Sequence, residues 1–154
     1  MGLISFLTGQ KKLSPSEKAF VVKQEKELAK ALQNMNTTDD IQKFFKNYRA
    51  AEDAVNQIIQ VAGENTKCIA GETPKDCMES LHRDYGRPLR SCIDLYIKKE
   101  TVRIMGLSRS RMKVAEGVAA IVREYSRDMP PDCAEYAQEL IDDMKKKIAQ
   151  LEGK

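Results

Sequence analysis

Four cysteines and one histidine are the side chains of this 154-residue chain with the clearest potential for metal binding or catalysis. The histidine, His82, lies three residues after Glu79, and this spacing places a carboxylate and an imidazole on one face of a helix, as in carboxylate-bridged di-metal sites. Such sites contain two copies of the motif, which a chain with one histidine cannot provide. We therefore predict no metal centre of this kind and interpret His82 as a surface residue.

The cysteines lack the spacing of an ordinary structural zinc site, because no two of them form Cys-x-x-Cys. A site made of Cys68, Cys77 and His82 is the alternative that the intervening loop would allow. Cysteines in helices usually behave as small buried apolar residues, so we predict neither a metal nor another cofactor. In an oxidising compartment, Cys68 and Cys77 would be the best candidates for a disulfide.

Nucleophilic catalysis requires a base within hydrogen-bond reach of the nucleophile. Cys77 and His82 are five residues apart, which is about 140° around a helix, so their side chains diverge. The glycines are isolated, which excludes the usual phosphate-binding loops, and no Ser-His-Asp arrangement is indicated by spacing. We predict no catalytic residues and expect a non-enzymatic protein.

The strongest charge imbalance is a basic one, because residues 82–113 contain nine Lys or Arg against three Asp or Glu. A turn near Gly106 should bring basic residues late in one helix close to those at the start of the next. The free N–H groups of that second helix, together with these cations, would suit a phosphate of nucleic acid or of an anionic lipid headgroup. The candidate residues are Lys98, Lys99, Arg103, Ser108, Arg109, Arg111 and Lys113.

The alternative interpretation of this basic segment is a solvated turn with scattered cations. The net charge of the chain is only +3, and no aromatic residues alternate with the cations to stack on bases. Both features favour the solvated turn.

The elements that position these residues are predicted to be helices. Proline and glycine are scarce, at 5 and 8 residues, and apolar residues recur at helical spacing along the chain. We predict an all-α fold: an antiparallel bundle of four long helices, or four to five helices in all, with the third broken at Gly86–Pro88. Glycine can end a helix, and the residue before a proline is biased away from α geometry.

Start signals support this division. Ser14-Pro15-Ser16-Glu17 has the pattern of a capping box, and Thr73-Pro74 has the pattern of a second helix start. Between them, a threonine in Thr37-Thr38-Asp39-Asp40 should cap the helix with the most regular apolar pattern. That pattern comprises Ile41, Phe44, Tyr48, Ala51, Val55, Ile58 and Ala62. Its heptad spacing favours a core helix, and the alternative is a seam that joins two copies of the chain as a homodimer.

Residues 1–13 form a short apolar and basic segment, and residues 14–154 are predicted to form a single domain. No run of 18 apolar residues occurs, so we predict no transmembrane segment. The first residues lack the pattern of a signal peptide. We expect a cytoplasmic protein, with at most weak peripheral membrane contact through residues 1–12.

Three functions remain compatible with these patterns. The first is a non-enzymatic helical protein–protein interaction module, such as an adaptor, a chaperone or a complex subunit. The second is an anion, nucleic-acid or acidic-lipid binder that uses residues 98–113. The third is a helical pocket protein for a small apolar ligand, which requires a cavity of several hundred Å3, within the range of about 300–1,000 Å3 for such sites.

Overall fold

The computed structural model describes residues 11–153, and within them the fold is all-α, as predicted. The helices are α1 (Pro15–Thr37), α2 (Ile41–Ala62), α3 (Pro74–Asp84), α4 (Gly86–Met105), α5 (Arg111–Ser126) and α6 (Pro131–Glu152). Helices α3 and α4 are the two parts of the predicted broken helix, so counting them as one bent helix gives five. Most of the predicted N-terminal segment 1–13 lies outside the described residues. None of the helices in the described range combines the length and the apolar character that a membrane crossing requires.

The predicted caps of α1 and α3 are confirmed. Ser14 Oγ accepts the backbone N–H of Glu17 at 3.2 Å, and Glu17 Oε1 accepts the backbone N–H of Ser14 at 2.9 Å. At α3, Thr73 Oγ1 accepts the backbone N–H of Asp76 at 3.2 Å. These side chains satisfy N–H groups that have no partner inside their own helix.

Helix α2 is capped by an aspartate, and the prediction of a threonine cap was wrong. Asp40 Oδ1 accepts the backbone N–H groups of Gln42 and Lys43, at 2.9 and 3.2 Å. Thr38 instead accepts the N–H of Asp40 at 3.1 Å, which fixes the turn before the helix. The charged carboxylate is the stronger acceptor and also complements the positive end of the helix dipole.

Helix α3 ends at Asp84 because of the proline four residues later. Pro88 has no N–H to donate to the carbonyl of Asp84, and its ring would clash with that oxygen. Tyr85 donates its N–H to the carbonyl of Leu81 at 3.2 Å, and α4 begins at once at Gly86. The second helix therefore starts at the first residue of the predicted break, and Pro88 occupies a first-turn position where no N–H is needed.

The described residues form two compact units. Unit 1 contains residues 11–34 and 45–85, and unit 2 contains residues 35–44 and 86–153. Helices α1 and α2 each begin in one unit and end in the other. The single domain from residue 14 stays a prediction.

In unit 1, α2 packs against α1 and α3. Asn34 of α1 donates to Asn47 of α2 at 3.1 Å, and His82 of α3 lies 2.9 Å from Glu52 of α2. The buried apolar side chains include Val21, Leu28, Ala31, Phe45, Ala51, Ala54, Val55, Ile58, Ala62 and Leu81. The heptad positions of α2 are buried within the single chain, apart from half-buried Tyr48. This is the packing of a core helix, and it leaves no exposed seam for a second copy.

In unit 2, α4 and α6 lie side by side and run in the same direction. Cys133 near the start of α6 donates its Sγ–H to the carbonyl of Gly86, and Tyr136 one turn later contacts Arg90. Helix α5 runs the opposite way, since Glu116 near its start pairs with Lys145 late in α6 at 2.8 Å. Six side chains of α4 are buried: Leu89, Cys92, Ile93, Tyr96, Ile97 and Ile104.

The buried position of Ala51 can be tested by substitution. We expect Ala51→Glu to lower the free energy of unfolding by about 3–5 kcal/mol, because the carboxylate would be buried without a partner. Thermal unfolding followed by circular dichroism measures this loss. Ala50→Glu is the matched control, because Ala50 is exposed on the same helix. Unchanged melting of Ala51→Glu would contradict the assignment of Ala51 to the core.

Candidate functional site

A groove of about 410 Å3 runs along unit 2 between α4 and α6. It lies where the side chains of these two neighbouring helices leave a channel on one side. Its lining is mixed, with apolar side chains between charged ones. The lining residues are Asp94, Ile97, Lys98, Thr101, Val102 and Met105 of α4 and Leu140, Asp143, Met144 and Lys147 of α6. We call this feature the α4–α6 groove.

The apolar part of the groove has a closed floor and an open wall. Ile97 and Met144 are almost completely buried and form the floor. On the wall, Val102 is 76% exposed and Met105 is 38% exposed. Single exposed apolar residues are common, but two beside one groove form a small apolar patch of the kind found at binding sites.

Sequence reasoning missed this groove, although a signal was present. Val102 lies about 160° around α4 from Ile104, which is completely buried. Val102, Met105 and the half-exposed Leu95 lie outside the core face of α4. Apolar residues outside the core face of a helix could have predicted an exposed apolar surface on α4. The groove also requires α6, and the apolar pattern of the sequence does not reveal that α6 lies beside α4.

A polar network fixes the N-terminal end of the groove. The hydroxyl of Tyr136 on α6 donates to Asp94 Oδ1 at 3.2 Å, and the guanidinium of Arg90 lies 4.3 Å from the centre of the same ring. Asp94 also pairs with Lys98 at 3.0 Å. Hydrogen bonds from Lys98 and then Tyr136 hold the pKa of the Asp94 carboxyl below its usual value. These contacts hold the α4 and α6 walls together at this end of the groove.

The rim charges on the two walls differ in their pairing. On the α4 wall, Lys98 is neutralised by Asp94 one turn earlier. On the α6 wall, Asp143 and Lys147 are exposed, and neither forms an ion pair within residues 11–153. The α6 wall therefore presents an acid and, one turn later, a base to the solvent above an apolar floor.

The structure divides the predicted basic segment into two groups. Lys98 pairs with Asp94, and Lys99 pairs with Asp39 at 3.2 Å. The guanidinium of Arg103 binds the carboxylate of Glu100, with Nε donating at 2.7 Å. These three cations have carboxylate partners in unit 2, which lowers the positive potential that they offer to an anion.

The second group lies at the start of α5, where no acidic residue occupies the first turn. Ser108, Arg109 and Lys113 are exposed, and the two cations have no ion pair within the described range. Ser110 has a left-handed φ of 60° and provides no side-chain cap. Arg111 is half-buried, and its Nε atom is buried without a hydrogen-bond partner. The remaining candidate patch is therefore Ser108–Lys113, which we call the α5 basic start.

The single histidine serves the packing of unit 1. His82 Nε2 lies 2.9 Å from Glu52 Oε2, and its ring is 6.3 Å from that of Tyr48. The Tyr48 ring also contacts that of Tyr85, with centroids 4.5 Å apart. The cluster joins α2 to α3. Among residues 11–153, no three His, Cys, Asp or Glu side chains are arranged to hold a metal ion.

The four cysteines are free thiols with raised pKa values. Burial is the main cause at each of them, and it raises the pKa of Cys92 to about 12. A raised pKa leaves the thiol protonated at neutral pH, and a protonated thiol is a poor nucleophile. Cys92 and Cys133 are also almost inaccessible to solvent.

We expect the native thiols to react slowly with iodoacetamide at pH 7.5, with a rate that still increases above pH 9. Cys68 and Cys77 should react first because they are partly exposed, whereas Cys92 and Cys133 should react only after denaturation. Peptide mapping by mass spectrometry measures the order. Rapid labelling of one cysteine at neutral pH would instead reveal an activated thiolate and contradict a packing role for that residue.

Comparison with protein-family models, curated protein sequences and solved structures found no match to this chain. Function must therefore be argued from the geometry of the chain itself. The described residues provide an apolar groove with a charged rim in unit 2 and a short basic start at α5. Of these two, the groove has both the preformed shape and the exposed apolar surface that binding requires.

Proposed function

We propose that this protein is a non-enzymatic helical interaction module that binds another protein through the α4–α6 groove. The observation that carries the proposal is the exposure of Val102 beside a floor formed by Ile97 and Met144. Complete burial of a side chain such as valine or methionine contributes about 1.5–3 kcal/mol. A partner that covers Val102 and Met105 would therefore gain substantial free energy of binding.

The groove is also preorganised. Tyr136 already joins α6 to Asp94 of α4 at one end, so a partner does not have to bring the walls together. Preorganisation lowers the entropic cost of association. We also propose a cytoplasmic location. The four cysteines are free thiols, and thiols are kept reduced in that compartment.

A small apolar ligand fits the groove less well than a protein segment does. Its volume of about 410 Å3 is within the range for ligand sites, but such sites bury about 70–90% of the ligand surface. With Val102 three-quarters exposed on the wall, a small molecule would remain largely in water. A longer segment can cover the wall and continue beyond it.

The proposal can be tested by selecting peptides from a random display library on the wild-type protein. We expect enriched peptides to lose at least about tenfold in affinity for Val102→Glu, because the new carboxylate would be desolvated in the interface. Val22→Glu is the matched control, because Val22 is half-exposed on α1 in unit 1. Affinities are measured by fluorescence anisotropy, and both variants are checked for unchanged melting. A failure to enrich peptides, or equal effects of the two substitutions, would contradict the proposal.

A second candidate function is anion binding at the α5 basic start. It is supported by the buried, unpartnered Nε of Arg111 and by the lack of an acid in the first turn of α5. Cations at a helix N-terminus are unfavourable for that helix, and an anion would relieve this cost. The phosphate of nucleic acid and that of an acidic lipid headgroup are the candidate ligands.

We expect Arg109→Ala with Arg111→Ala to weaken binding of a fluorescein-labelled single-stranded oligonucleotide by about tenfold at low salt, with the wild-type affinity decreasing steeply as salt increases. The matched control is Lys98→Ala with Lys99→Ala, which removes the same charge from residues that already have carboxylate partners. Vesicles containing phosphatidylserine test the lipid alternative. Equal losses from the two double variants, or affinity independent of salt, would exclude a specific site.

A further inference from the structure

We infer that the partner segment is an amphipathic α-helix of about three turns that lies antiparallel to α4 and α6, with an acidic residue four positions before a basic one beside the groove. This inference rests on the proposed function and specifies the chemistry of the partner. The groove is lined by α4 from Asp94 to Met105, and eleven helical steps of about 1.5 Å give a length of about 17 Å.

The shape of the groove favours a helix. Its α4 wall is lined at positions 94, 97, 98, 101, 102 and 105, and its α6 wall at positions 140, 143, 144 and 147. Both sets repeat every three or four residues, which is the spacing of the ridges that a packed helix fits between. An amphipathic helix that lays its apolar face into such a groove is a common form of peptide recognition.

The charges on the α6 wall specify the complementary sequence. Asp143 and Lys147 are exposed, lie one helical turn apart and have no ion pair within the described residues. A partner would place a base opposite Asp143 and an acid opposite Lys147. On the α4 wall, Lys98 already pairs with Asp94, so the α6 wall dominates the electrostatic preference.

The direction of the partner follows from the two helices that form the walls. In a helix antiparallel to α6, the acid opposite Lys147 comes first along the chain, and the base opposite Asp143 follows about four residues later. Because α4 and α6 run in the same direction, an antiparallel partner places the positive N-terminal end of its helix beside their negative C-terminal ends, which a parallel partner does not. A parallel helix would need the reverse order. Rim charges of this kind contribute orientation and specificity more than affinity.

The inference can be tested with two labelled 14-residue peptides of identical composition. Each has leucines at i, i+3, i+7 and i+10, and flanking Glu and Lys four residues apart, with Glu first in one peptide and Lys first in the other. The proteins are the wild type and the double variant Asp143→Lys with Lys147→Asp. We expect the wild type to bind the Glu-first peptide about fivefold more tightly at low salt, and the double variant to prefer the Lys-first peptide by a similar factor. If the preference reverses in the double variant, it arises from recognition by the protein and not from a difference in helicity between the two peptides.

Other outcomes would overturn the inference in distinguishable ways. Equal binding of both peptides, lost in Val102→Glu, would refute the charge order and leave the groove as a docking site. Binding of neither peptide, while library-selected peptides do bind the groove, would refute the helical partner alone. A concentration-dependent dimer in sedimentation velocity that Val102→Glu abolishes would identify a second copy as the occupant. Failure of the library selection as well would remove the proposed function itself.

Discussion

Helix α4 has more apolar surface than its neighbours in unit 2 cover. The candidate site depends on this uncovered apolar surface. Six of its side chains are buried, whereas Leu95, Val102 and Met105 remain exposed. Because α6 lies beside α4, part of this apolar surface forms one wall of a groove with Met144 in its floor. The hydrophobic effect then favours any partner that removes the wall from water.

Local ion pairing lowers the positive potential that the charge count of residues 82–113 indicates. The segment 82–113 is strongly basic by count, yet Lys98, Lys99 and Arg103 each have a carboxylate partner. Two of those partners are close in sequence, and the third, Asp39, lies sixty residues away. Exposed pairs contribute little to stability, but they lower the local potential that an anion would experience. The cations left without partners are fewer and lie at the start of α5.

Much of the helical fold could be predicted from the sequence, because its signals are local. The capping box at Ser14, the cap at Thr73 and the effect of Pro88 each depend on residues within four positions of each other. The cap of α2 was misassigned because two residue types that can both cap a helix stand next to each other. The groove could not be predicted, since it requires α6 to lie beside α4 and Tyr136 to reach Asp94. Apolar residues outside the core face of α4 showed only that some contact was missing.

Methyl NMR of the seven methionines tests the central claim most directly, because these residues report on several surfaces at once. Met105 and Met144 line the groove, Met112 lies in the first turn of α5, and Met78 lies on α3 in unit 1. On titration with a library-selected peptide, the signals of Met105 and Met144 should shift and those of Met78 and Met112 should not. Shifts at Met112 or Met78, with Met105 and Met144 unchanged, would contradict the groove as the docking surface.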